Sequence, residues 1–152
     1  MFAITLIALC LLFLPLTTMA NYDVDKIKDA ITNKQALFNV ESWKKSSNNQ
    51  DWQAKTTKRL LFIEISPDVA MVKSPYINPK HKLIAKKRCV EFGLIGVKPT
   101  TEEQRDKVNY LVRRATQKHI PQFATINGVR FEVLPELKST YVSLICKLKP
   151  AM

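Results

Sequence analysis

Residues 99–134 read PTTEEQRDKVNYLVRRATQKHIPQFATINGVRFEVL, and this stretch decides the fold class. Thr100 and Thr101 each stand three residues ahead of a Glu103 or Gln104 partner, which makes two overlapping capping boxes. Val108, Leu111, Val112, Ala115 and His119 then recur on one helical stripe. Acids lead the segment, and Arg113, Arg114 and Lys118 close it, both favourable to the helix dipole. Pro121 stops the helix. Beyond it, residues 123–126 and 129–134 flank Asn127-Gly128, the type I′ signal of a tight β-hairpin. A helix feeding an antiparallel hairpin places the chain in the α+β class.

Reading toward the C-terminus, Pro135-Glu136 suggests a further turn, and residues 140–148 alternate as a last strand. In the other direction, residues 87–95 read as a strand with Val90, Phe92 and Leu94 on one face, and Gly93 and Gly96 suggest a bulge or close packing. Pro67, Pro75 and Pro79 break residues 66–80 into a long loop. Residues 58–65 are rich in β-formers and predict another strand. A polar Ser/Asn run between Trp43 and Trp52 reads as a loop. Val24, Ile27, Ile31 and Phe38, with Asp23 and Asp25 ahead of them, predict a short amphipathic helix over residues 22–38. The expected architecture is therefore two helices packed on a mostly antiparallel sheet of about five strands. It forms a single basic domain over residues 21–152, with a helix and polar loop over 21–57 and the core over 58–152.

The N-terminus has a different character. Residues 2–16 carry no charge, Pro15 closes the apolar run, and Thr18 and Ala20 offer a small-residue cleavage motif before Asn21. Residues 1–20 thus read as a secretory signal peptide, and the expected location is secreted or periplasmic. No Lys or Arg precedes the run, and its length is close to a bilayer span, so an uncleaved membrane anchor is the competing reading. Cys10 leaves with the signal, and the two remaining cysteines, Cys89 and Cys146, predict one disulfide in an oxidising compartment. The alternation of Cys89 with Glu91 and Gly93 on the expected strand would set that bridge at the sheet margin.

The formal net charge is +11, and every charged residue follows position 20. Such an excess attracts polyanions, although a Lys-rich composition can also arise without a function. The densest run, residues 80–88, holds Lys80, His81, Lys82, Lys86, Lys87 and Arg88, and is a candidate surface for phosphate or sulfate groups. Charge runs are more often solvated faces, which is the competing reading. Trp43 and Trp52, with lysines nearby, are candidates for stacking on a ligand or for packing on the core. The two histidines, His81 and His119, together with Lys82 and Lys118, could serve a metal-independent nuclease as base, acid and charge stabilisers. His119 is equally explained by its place at a helix end. The three glycines form no phosphate-cradling loop, no His/Cys cluster has metal spacing, and Glu132 and Glu136 need no catalytic role. No cofactor is implied. The leading expectation is a non-catalytic binding or assembly domain with a basic face for an anionic macromolecule or acidic protein. The nuclease and a membrane-anchored envelope or secretion component are the alternatives.

Overall fold

The computed structural model describes residues 22–58 and 60–152, so both readings of residues 1–20 fall outside the described residues. Helices α1 (Val24–Asn33) and α2 (Gln35–Phe38) precede four strands, β1 (Val40–Lys45), β2 (Trp52–Thr56), β3 (Phe62–Ile65) and β4 (Ala70–Tyr76). Helices α3 (Pro79–Val97) and α4 (Glu102–Lys118) follow, and β5 (Gln122–Ile126), β6 (Val129–Leu137) and β7 (Val142–Pro150) end the chain. The strands form one antiparallel sheet in the order β1-β2-β3-β4-β7-β6-β5. The α+β class holds, but among the described residues there are seven strands rather than about five, and four helices rather than two.

The topology has an internal echo. Each half starts with helix and then runs its strands from an outer edge to the centre, β1 through β4 on one side and β5 through β7 on the other. The last strands of the two halves pair with each other, from Ala70 opposite Leu148 to Tyr76 opposite Val142. Helix α3 lies across β4, β7 and β6, and α4 across β5 and β6. Beneath them Ala70, Val72, Phe131, Val133, Leu144, Cys146 and Leu148 are buried. The opposite face carries ion pairs instead: Glu132 meets Arg130 at 2.7 Å and Lys149 at 3.1 Å, and Glu136 meets Lys73 at 2.6 Å and Lys138 at 3.0 Å. Burial alone would raise the Glu132 carboxyl, but Arg130 and Lys149 more than offset this and hold it below its ordinary value.

Several expectations need correction. Residues 87–95 are not a strand; they belong to α3. Its buried residues are Ala85, Arg88, Cys89, Phe92, Gly93, Gly96 and Val97, a regular three-and-four spacing. Most of that stripe is small or polar, while the bulkier Val90 and Leu94 are only partly covered, so hydropathy suggested the wrong period. Asn78 caps the helix by accepting from the His81 N–H at 2.9 Å, and Pro79 occupies its first turn. The long loop over 66–80 contains β4. Pro75 is tolerated there because β3 pairs only as far as Lys73, leaving that edge of β4 free of a ladder partner. Pro135 sits in β6 for the same reason, beyond the end of β5, so the chain turns after Leu137 rather than at Pro135. The two Trp residues lie on strands β1 and β2, and only residues 46–51 between them turn.

The local signals around α4 succeed, except that Gln104 alone completes the cap and the expected Thr100–Glu103 box does not form. Thr101 is the N-cap and accepts from the Gln104 N–H at 3.2 Å, while Gln104 returns a bond to the Thr100 N–H at 2.9 Å. Asn127 and Gly128 adopt φ of 50° and 75°, as the tight hairpin requires. His119 is the left-handed C-cap of α4, with φ 55° and its N–H donated to the Ala115 carbonyl at 2.9 Å. A side chain is strained in that region, so His119→Gly should raise stability by about 0.5–1 kcal/mol in thermal unfolding. A loss of stability would show that the imidazole itself holds the helix end.

Candidate functional site

Cys89 on α3 and Cys146 on β7 form a disulfide with Cα atoms 5.6 Å apart. Both residues are 1 % exposed, so the bridge lies in the core between helix and central strand rather than at the sheet margin. It fixes α3, and α3 carries the basic run. Lys80 and Lys87 are exposed, and Lys82 and Lys86 are half-buried. No carboxylate among the described residues lies within ion-pair distance of any of these four lysines. The first turn of α3 holds no acid either, so Lys80 and Lys82 add to the positive end of the helix dipole.

Arg88, the sixth member of the run, points the other way. Its side chain is only 9 % exposed and ties three elements together. Nε donates to the Leu37 carbonyl at 2.8 Å, Nη1 to the Ser74 hydroxyl at 3.0 Å and Nη2 to Asn39 Oδ1 at 3.4 Å. Burial lowers the guanidinium pKa from its ordinary value, since the charged form is the one desolvated.

Three depressions surround the helix. The first, of about 670 Å³, is a groove bounded by residues 33–37, by Leu83, Lys86, Lys87, Val90 and Glu91 of α3, and by Asn109 of α4. Leu37, Leu83 and Val90 make it apolar, Leu83 being 53 % exposed, and Lys86 and Lys87 stand on its rim. Lys34 closes one end through a 2.8 Å ion pair with Glu91. The second depression lies against His81, Ile84 and Arg88. The third lies at the start of α3 beside Lys82 and residues 138–142, and includes Tyr76. The Tyr76 hydroxyl is buried with no hydrogen-bond partner among the described residues, and burial raises its pKa.

The other candidate residues have separate settings. Trp43 donates from Nε1 to the Thr32 hydroxyl at 2.9 Å, and Lys28 sits 3.9 Å above the Trp52 ring, with Lys45 at 5.0 Å. Both rings pack against the core and dock α1 on the β1–β2 hairpin. His81 is exposed in the first turn of α3, whereas Lys118 and His119 end α4, with His119 engaged as the cap. The groove residues Leu37 and Asn109 had no signal in the sequence, because only folding brings α2 and α4 alongside α3. Among the described residues no group of three or more His, Cys, Asp or Glu side chains is placed to hold a metal, and no helix is long and apolar enough to cross a membrane. Comparison with protein-family models, curated proteins and solved structures finds no match to this chain.

Proposed function

We propose that this protein is an exported, non-catalytic binding domain whose α3 face meets an anionic macromolecule. The observation that carries the reading is the set Lys80, Lys82, Lys86 and Lys87, which has no ion-pair partner among the described residues and of which Lys86 and Lys87 border an apolar groove. Cations without internal acids attract a partner's charges, and the exposed Leu83 beside the partly buried Val90 adds apolar contact area. Export is supported by the apolar leader followed by a disulfide-bonded domain.

Heparin affinity measured across a salt series tests the proposal. The K82Q/K86Q/K87Q variant should bind heparin more weakly, with a salt dependence shallower by up to about three units. Its folding stability should stay close to that of the wild type, because unpaired surface lysines contribute little to folding. Equal affinity and an equal slope in the variant would reduce the run to a solvated face.

A further inference from the structure

The second depression beside α3 encloses about 350 Å³ and is lined by Thr57, Lys58, Leu60, Leu61, Pro75, His81, Ile84 and Arg88. Its lining is graded. Leu61 and Arg88 are buried at the inner end, Pro75 and Ile84 are half-buried walls, and Lys58, Leu60 and His81 are exposed at the mouth. Leu60 is 70 % exposed and adds apolar area at the mouth. Among the described residues the pocket thus combines an apolar wall with two cationic side chains, Lys58 and Arg88, and one imidazole.

Arg88 is the informative member. A buried cation is ordinarily paired, because desolvating a charge costs several kcal/mol that neutral hydrogen bonds do not fully return. Among the described residues no carboxylate pairs with Arg88; its partners are a carbonyl, a hydroxyl and a side-chain amide. Those bonds use three of the five guanidinium N–H donors, leaving one on each terminal nitrogen. Among the described residues neither a counter-charge nor acceptors for the last two donors accompany Arg88, and one oxyanion would supply both.

We propose that this pocket binds a small organic anion, a carboxylate or phosphate on an apolar body, with Arg88 as its counter-ion. The anion enters past Lys58, which attracts it, and past the His81 ring at the mouth. Its oxygens take the two remaining Arg88 donors, and its apolar body lies against Leu60, Leu61, Pro75 and Ile84. The site is separate from the groove of Lys86 and Lys87, so this inference and the polyanion reading stand or fall independently.

The test is a set of ¹H–¹⁵N titrations of the oxidised protein with octanoate, octanol and inorganic phosphate. Octanoate should give saturable shifts at the amides of Thr57, Leu61, Ile84 and Arg88. Octanol and inorganic phosphate should bind at least about tenfold more weakly, since each offers only half of the recognition. Ile84→Trp should fill the pocket and weaken octanoate by at least about tenfold while leaving the heparin surface intact. Arg88→Gln, where it folds, should leave octanoate no better than octanol; where it does not fold, Ile84→Trp and the octanol comparison decide. The K82Q/K86Q/K87Q variant should bind octanoate as the wild type does. Octanol binding equal to octanoate, absence of saturable shifts, or shifts centred on Leu83, Lys87 and Val90 would each overturn the proposal.

Discussion

Reduction of the Cys89–Cys146 bond is expected to lower the stability of the folded chain by about 4 kcal/mol and its midpoint by about 15 °C. The magnitude follows from the 57-residue separation of the two cysteines, whose cross-link restricts the unfolded chain. Both sulfurs are buried between α3 and β7, so the reduced native state should keep the same packing and show nearly unchanged spectra. Chemical denaturation of oxidised and reduced protein isolates the cross-link, and C89A/C146A adds the cost of two truncated side chains. Coincident unfolding curves for the two redox states would show that the bond contributes nothing to the fold. The expected loss also ties the stability of the fold to its redox surroundings, because the chain in a reducing compartment forgoes this stabilisation.

Gly96→Ala is expected to destabilise the protein by about 2 kcal/mol, although alanine is the better helix former. The propensity gain is about 1 kcal/mol. Against it, a Cβ at Gly96 would lie 2.3 Å and 2.4 Å from the two terminal methyls of Leu148 and 2.8 Å from its branch carbon. Leu148 is wholly buried on a central strand, so relief requires moving the complete side chain or lifting α3 from the sheet. Overpacking of that kind costs about 1–3 kcal/mol, toward the upper end where three atoms collide, and it exceeds the propensity gain. Leu148→Val in the Gly96→Ala background should cost less than the two single changes together, a coupling that urea unfolding can read. A Gly96→Ala variant as stable as the wild type would mean that α3 does not approach β7 at this distance.

These two experiments probe the element that was least legible beforehand. Helix α3 rests on the sheet through Gly93 and Gly96, and Cys89 bonds it to β7, so its buried face consists largely of residues that hydropathy does not weigh. The alternation of Val90, Phe92 and Leu94 resembled a strand because Phe92 is buried while the other two lie toward the helix's partly covered sides. Strands β1 and β2 escaped notice for a related reason. Their residues are mostly polar, and the Trp rings that secure them become informative only when α1 is laid across them.

The candidate surface was half legible. A run of basic residues is visible in any chain, but which members face solvent depends on the helical phase. A strand would put Lys86 and Arg88 on one side, whereas the helix turns Lys86 and Lys87 toward the groove and Arg88 into the interior. That single difference separates a surface cation from the floor of a pocket.

What the sequence by itself determined are the features whose causes lie within a few residues: the capped helix α4, the Asn127-Gly128 hairpin, the alternating β7 and the excess of positive charge. The identity of the disulfide also followed, since only two cysteines remain beyond residue 20. What only the tertiary structure decided are α3, the strands β1, β2 and β4 of the first half and the depressions around α3. Each of these depends on contacts between distant segments, where a glycine is valuable for what it lets approach and an arginine for which carbonyl it reaches. No local pattern of size or polarity encodes those distances.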